Sequence, residues 1–480
     1  MASSNEPYEV VIIGAGPSGL VSAKTLLAHN VAHILVLDES DETGGLWTKQ
    51  VRPSVPCRIV NHNGETAQEV ESSSQPVYSD LRANFPKDLT SFLGYPFVSR
   101  VEHFPPAETV ASYYQGYGRR YGVDAVTRMQ TRVDRCVKES GPSPTWSIYT
   151  TNTKTGKQTK FTSKRLLVCN GHYRKAYCPH VQGIEHYKGR ILHSSAFRSA
   201  LDFEGQTVLI VGASISGCDI AKILATRGKC SHIVISTRKW KLYQDLLLRP
   251  LQCKGVVARP GVASMSTDGM VSFSPPSGPT KNKYSPIGEE KALRPDVIIF
   301  ATGYRYYFPF LESLKKHDID SSTCEMPATS GIRVMRDDGF KMERLYKRIL
   351  SLDDQSLAFI GITNQNLSPA IMMEYQARWF THMVVQEQCR TLDPAVMAQE
   401  VEARADDPTQ DGLLLKFPSY CTSLASDIGI RGYWMQLLCD RLPLILQTWW
   451  TRHTAKPWLM VGAGLAAVAI PIIGSNCLGS

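Results

Sequence analysis

Two glycine-rich turns, each fed by an apolar strand and opening into a helix, constrain this chain more than any other feature. The first is Gly14-Ala15-Gly16-Pro17-Ser18-Gly19, after Val10-Val11-Ile12-Ile13. The second is Gly212-Ala213-Ser214-Ile215-Ser216-Gly217, after Val208-Leu209-Ile210-Val211. A strand entering a helix through such a turn aims backbone N–H groups and a positive helix end at a pyrophosphate. One such turn is a weak signal. Two, about 200 residues apart, predict two dinucleotides held for electron transfer.

At 480 residues, with 43% apolar and 20% charged residues, the chain has room for about three globular domains. Its +9 balance comes from dispersed Lys and Arg without a basic block, so no nucleic-acid partner is expected. Cofactor phosphates or a membrane surface account for it equally well. The twelve cysteines are scattered with no C-x-x-C pair, which predicts neither a metal centre nor a redox dithiol. The first cofactor strand starts by Tyr8, before a basic leader could act. Reduced thiols and a cytosolic catalytic body are therefore expected.

The first unit reads as strand, turn, a helix from Pro17 to about His29, then strand Ile34-Leu35-Val36-Leu37 ending at Asp38 and Glu39. Asp38 follows Gly19 by 19 residues, close to the ~20-residue spacing at which a carboxylate accepts ribose hydroxyls. An acid merely ending a strand is the plainer alternative; the position favours ribose. A carboxylate there repels a 2′-phosphate, so this unit suits FAD or NAD. At the same point of the second unit stand Ser236-Thr237-Arg238, with Arg238 21 residues after Gly217. Hydroxyls and a guanidinium suit the 2′-phosphate of NADPH. Ser214 replaces the middle glycine, and an ordinary surface arginine is the competing reading of Arg238.

Two more apolar strands broken by glycine, Leu166–Gly171 and Val297–Tyr304, bracket the second unit. They resemble crossings in the two-domain fold of the glutathione-reductase type. The expected fold class is thus α/β, with two nested Rossmann-like domains and a hydrophobic C-terminal tail. The expected division is 1–171 and 305–440 for the FAD-binding domain, 172–304 for an inserted NADPH-binding domain, and 441–480 for the tail. Residues 256–294, rich in Gly, Pro and Ser, read as loops within the insert.

The stretch Tyr187-Lys188-Gly189-Arg190-Ile191-Leu192-His193-Ser194-Ser195-Ala196-Phe197-Arg198 resembles the identifying motif of the flavin-containing monooxygenases, F-x-G-x-x-x-H-x-x-x-[FY]-[KR]. Related Baeyer–Villiger enzymes end it with Trp-Pro rather than Phe197-Arg198. Thr43-Gly44-Gly45-Leu46-Trp47 is similar to the family's G-G-x-W loop. Asp296 through Thr302-Gly303-Tyr304 to Phe310 resembles its second signature, and the likeness runs through Gln376-Ala377-Arg378-Trp379. The resemblance implies FAD and NADPH as cofactors and O₂ plus a small-molecule substrate as partners. Gly45, Leu46, Trp47, Thr302, Gly303 and Gln376 join the two glycine turns as cofactor-binding candidates. The implied reaction is a C4a-hydroperoxyflavin passing one oxygen atom to a soft nucleophile inside a dry pocket. Such chemistry asks little acid–base work of the protein, and His193 is expected to hold a domain junction by hydrogen bonds.

Leu81-Arg82-Ala83-Asn84-Phe85-Pro86-Lys87 looks like the family's L-x-T-N-x-P-K loop. Its Asn, here Asn84, is the implied catalytic residue, because an amide both donates and accepts beside a neutral adduct. Ala83 departs from the usual Thr, and an isolated Asn-x-Pro reads as a turn. At the C-terminus, Trp458 to Ile473 is an uncharged apolar run of 16 residues, about 24 Å as a helix against a ~30 Å hydrocarbon core. Arg452, His453 and Lys456 with Trp449, Trp450 and Trp458 suit a membrane interface, so a membrane-associated tail is expected. A helix buried against the body is the alternative. Competing functions are a Baeyer–Villiger or carbon-hydroxylating enzyme and a catalytically silent nucleotide-binding membrane protein.

Overall fold

The computed structural model describes residues 6–31, 33–49, 54–238, 251, 254–275, 292–311, 332, 334–336, 338–362, 368–385, 393–405 and 417–429. Its architecture is mixed α/β, built on two parallel sheets. The first sheet runs Leu345–Tyr346, Leu350–Ser351, Leu357–Phe359, Gln158–Val168, Tyr8–Ile13, Ile34–Leu37 and Thr127–Arg128. From Leu357–Phe359 to Thr127–Arg128 its pairings are parallel. The hairpin of Thr131–Lys138 with Trp146–Asn152 joins it through Gln158–Val168. Parallel central strands are covered on both faces, which is why Val10 to Ile13 and Ile34 to Leu37 are apolar throughout and buried.

The second sheet has the order Arg190–His193, Val297–Phe300, Thr207–Val211, His232–Ser236, Val256–Arg259, every pairing parallel. Each of the two expected crossing strands lies inside a sheet: Leu166 to Val168 between Leu357–Phe359 and Tyr8–Ile13 in the first, Val297–Phe300 between Arg190–His193 and Thr207–Val211 in the second. Beyond them Lys175–Ala176 and Tyr304–Arg305 pair antiparallel, tying the outgoing and returning chain together.

Two expectations need correction. Within the expected loop region 256–294, Val256–Arg259 is the fifth strand of the second sheet, and Val262–Met265, Val271–Phe273 and Ala292–Leu293 make a three-stranded sheet. The turn residues separate strands too short to give a legible period. Secondly, the hairpin of Cys57–Val60 with Thr66–Val70 leaves the first sheet and packs against the core of the second. Gln68 Nε2 donates to the carbonyls of Ile184 and Tyr187 at 3.0 and 3.1 Å. Glu71 bridges to Leu192 and takes a bidentate pair from Arg190. Part of the chain before residue 171 thus belongs, by its contacts, with the second sheet. Among the described residues no helix is long and apolar enough to cross a membrane. The tail, 441–480, on which the membrane expectation rests, lies outside the described residues.

Candidate active site

Both glycine turns fold under the same steric rule. Gly14 and Gly212 have φ of +107° and +109°, in the region that favours glycine, and each lies against a carbonyl of a neighbouring strand end, Cys169 and Ala301. A Cβ on Gly19 would sit 1.8 Å from the Gly14 carbonyl oxygen, and one on Gly217 1.9 Å from that of Gly212. These last glycines let helix Pro17–Ala28 and helix Ile215–Arg227 approach their strands. Gly16 differs: a Cβ there meets only Gly45, its Cα at 3.4 Å and its N at 3.9 Å, so the protein itself leaves room. Pro17 stands at the first helical position, where its missing N–H is no loss.

A cavity of about 470 Å³ opens over the first turn. Gly14, Gly16, Pro17, Ser18, Asp38, Glu39, Gly45, Leu46, Trp47, Asn84 and Ser216 all line it, as do Ile215 and Asp219 from the helix of the second unit. The Gly45–Trp47 turn is held onto the first loop by Gly44 N–H donating to the Ala15 carbonyl at 3.0 Å. Asp38 takes a structural part as well: its carboxylate accepts from Ala15 N–H at 2.7 Å and Ser40 N–H at 2.8 Å. Glu39, beside it, pairs with Arg174 across the cavity wall at 2.5 Å.

Asn84 is exposed to the cavity and its amide makes no hydrogen bond among the described residues. The loop around it is fixed instead. Ala83 N–H donates to Pro105, Lys87 N–H to His103, and Lys87 Nζ to the carbonyls of Ser99 and Val101. Ala83, the departure from the family motif, is buried in the core. The clamps thus fix where the Asn84 backbone sits, and its amide is left to bond a ligand.

A family description, "Flavin-binding monooxygenase-like", matches residues 8–244. Flavin-containing monooxygenase FMO GS-OX2 of Arabidopsis thaliana is 27% identical over 90% of this chain and 82% of its own. FMO GS-OX-like 9 of the same plant is 26% identical over 91% and 90%. The solved structure of S-allyl-L-cysteine S-oxygenase from Allium sativum superposes with a TM-score of 0.69 over 97% of this chain and 99% of that one, at 23% identity. The chain belongs to the flavin-containing monooxygenase family. It is an enzyme, a flavoprotein oxidoreductase of mixed α/β fold.

A flavin dinucleotide in this family member would meet polar atoms that have no partner in the protein. Asn170 Oδ1, both ring nitrogens of His172 and Arg174 Nε are buried without a hydrogen bond, on alternate residues of one segment, and all three side chains line the cavity. Orphaned buried polar atoms are costly unless a ligand or water satisfies them, so the residues present fit such a group. The sequence reading missed these three. Their signal was the alternation Asn170-x-His172-x-Arg174 directly after an apolar strand. Burial pushes His172 down to about 4, keeping its imidazole neutral.

Other expected cofactor residues stand behind the wall. Gln376 is fully buried, accepting from Gly361 N–H at 3.0 Å and donating to Tyr420 Oη at 2.9 Å. It reaches the cavity only through Gly361, which lines it. Thr302 donates its hydroxyl to the Tyr177 carbonyl, and the Gly303 carbonyl accepts from Tyr177 N–H at 3.0 Å. Both hold the crossing. Gly212, Ser214, Gly217, Thr237 and Arg238 lie outside this cavity, Ser214 and Arg238 exposed and Thr237 buried. Arg259, which sequence reasoning missed, ends the adjacent strand in register with Ser236.

His193 bears out the expected structural part. Its Nε2 lies 3.0 Å from the Gly303 carbonyl and its Nδ1 accepts from Ser195 N–H at 3.1 Å, so the neutral ring bridges the crossing. Burial pushes it down to about 4. A histidine depressed in the folded state contributes stability that is full above its unfolded value of ~6.5 and declines as pH falls toward 4. The native state should therefore lose about 3 kcal/mol between those limits on this account. Urea titrations at several pH values should show a shallower decline for His193→Gln; an identical slope would remove His193 as its cause.

Proposed function

We propose that this protein is an FAD- and NADPH-dependent monooxygenase that transfers one oxygen atom from O₂ to a soft nucleophile, sulfur foremost, of a small organic substrate. The reading is carried by one cavity walled from both nucleotide units, the first glycine turn on one side and Ile215 and Ser216 on the other. A bound flavin supplies hydride acceptance and O₂ activation; the protein's own residues supply position and dryness. On this reading 1–171 and 305–440 serve the flavin and 172–304 serve NADPH, apart from the 57–70 hairpin. The N–H groups of Gly16 and Ser18, those of the turn not already donating to Leu37 or Asp38, would hold the pyrophosphate, Asp38 and Glu39 the ribose, and Asn170 with His172 a facing polar edge. Leu81, Phe85, Met372 and Met373 line the cavity with apolar surface that excludes water. Asn84 presents the one free amide of the clamped loop to the reacting oxygen.

The Allium sativum relative is titled an S-oxygenase, which favours sulfur as acceptor. The test is a panel of thioethers and tertiary amines with NADPH under ¹⁸O₂. A product heavier by one labelled oxygen supports the reading. NADPH oxidation that yields only hydrogen peroxide across the panel would overturn it.

Arg238 is exposed at the end of His232–Ser236, beside Thr237 and across from Arg259, where a 2′-phosphate would lie. Arg238→Ala should raise KM for NADPH about ten- to hundredfold, the size of one charge-assisted contact of ~1.5–3 kcal/mol. KM for NADH should stay nearly unchanged. Equal losses with both nucleotides would count against Arg238 as the discriminator.

A further inference from the structure

We propose that Cys57 and Cys178 form an oxidation site, at which hydrogen peroxide makes a disulfide clipping the 57–70 hairpin to the chain crossing between the two sheets. Their sulfurs lie 3.7 Å apart, although 121 residues separate them in sequence. Among the described cysteines no other hydrogen-bonds to a second sulfur. Closing that gap to the ~2.05 Å of a disulfide asks for side-chain rotation, not a new fold.

The surroundings favour reaction at this pair. Cys57 opens strand Cys57–Val60, which has Thr66–Val70 as its one sheet partner. Cys178 follows Lys175–Ala176, the outgoing half of the crossing, and the Cys57 sulfur sits 3.8 Å from the Ala176 carbonyl oxygen. Both thiols are buried, at 4% and 5% exposure. A two-stranded ribbon is marginal alone and opens locally more readily than a sheet centre, which gives a small oxidant its route. The hydrogen bond shared with Cys178 and the nearby charge of Arg305 push the Cys57 thiol down, while Cys178 is pushed up. Cys57 is therefore the nucleophile.

The step balances with peroxide as sole oxidant. The Cys57 thiolate attacks one peroxide oxygen; an S–O bond forms, the O–O bond breaks, and the departing hydroxide takes a proton to leave as water. The Cys178 sulfur then attacks the Cys57 sulfur, forming S–S as the S–O bond breaks, and its proton leaves with the second water. Two thiols lose two electrons and one peroxide gains them. Peroxide is also what an oxygen-activating flavoprotein releases when oxygen transfer fails. Cys178 lies four residues after a stretch that walls the cavity, Asn170 to Arg174, and the Cys57 hairpin runs on into a second, Ser74 to Pro76 and Tyr78. The tether would fix how the two sheets sit around the cavity.

The experiment uses the full chain, reduced, desalted and exposed to graded hydrogen peroxide. Free thiols are then alkylated and the protein is digested without reduction for mass spectrometry. The expected result is a Cys57–Cys178 linked peptide, two hydrogens lighter than the free pair and abolished by dithiothreitol. The thermal midpoint should rise by roughly 5 °C, as closing a ~120-residue loop suggests. Cys57→Ser and Cys178→Ser should each abolish that rise and leave the other cysteine alkylated. Recovery of both as alkylated thiols at doses that oxidise the more exposed Cys230 would overturn the proposal. So would Cys57 as a sulfinic acid beside a free Cys178.

Discussion

Gly16→Val should yield a protein that folds but purifies without yellow colour, whereas Gly19→Ala should fail at folding itself. The two positions lie three residues apart in one turn, and the structure separates their duties. At Gly19 a Cβ lands 1.8 Å from the Gly14 carbonyl oxygen, a backbone atom that cannot step aside. Helix Pro17–Ala28 would have to lift off the strand it packs against, disturbing a core that includes Leu20, Val21 and Ala23. At Gly16 the protein offers van der Waals distance and an ordinary φ of −75°. A side chain there projects where backbone must meet the pyrophosphate. Losing two charge-assisted N–H contacts of ~1.5–3 kcal/mol each predicts roughly a 10²- to 10⁴-fold weaker FAD. Flavin fluorescence titration gives the affinity, and far-ultraviolet dichroism of the apoprotein gives the fold. A folded, yellow Gly16→Val protein would show that this turn does not hold the flavin.

What the sequence made legible is what local chemistry dictates. A glycine needing positive φ, a proline at the first helical position and an all-apolar strand each leave a mark within a few residues. Gly14, Pro17 and Val10 to Ile13 are read correctly for that reason. The Asn84 loop was legible through resemblance, and the structure adds that its clamps come from residues 99–105. Parts set by long-range contact were not legible. Nothing near Cys57 says that its hairpin will pack beside Ile184 and Tyr187, or that Cys178 will meet it. Val256–Arg259 was hidden among turn residues because a four-residue buried strand has no period to detect. Asp38, Thr302 and Gln376 were chosen for residue type and position, but their polar atoms bond to neighbouring backbone or side chains. Sequence position gave the right neighbourhood and not the direction of the side chain.

That distinction sharpens the case of Asn84, whose polar atoms are uncommitted. If its amide bonds to the reacting oxygen, Asn84→Ala should bind FAD normally and accept hydride from NADPH at an unchanged rate. The loop should survive, because its clamps are backbone bonds at Ala83 and Lys87 and the ammonium of Lys87, none of which uses Asn84. Oxygen transfer should then lose to breakdown, with NADPH consumed and hydrogen peroxide released in place of oxygenated product. One hydrogen bond in a water-poor cavity is worth about 1–3 kcal/mol, so the ratio of product to peroxide should fall about 5- to 150-fold. Asn84→Asp separates charge from shape: it keeps the acceptor, loses the donor and adds a negative charge beside a developing anion. It should be at least as uncoupled as the alanine. The measurement is product, peroxide and NADPH in one reaction, with flavin content fixed by absorbance. Coupling that stays unchanged in both variants would make Asn84 a turn residue and leave the reacting oxygen to another group of the cavity wall, His172 or Asn170 first among them.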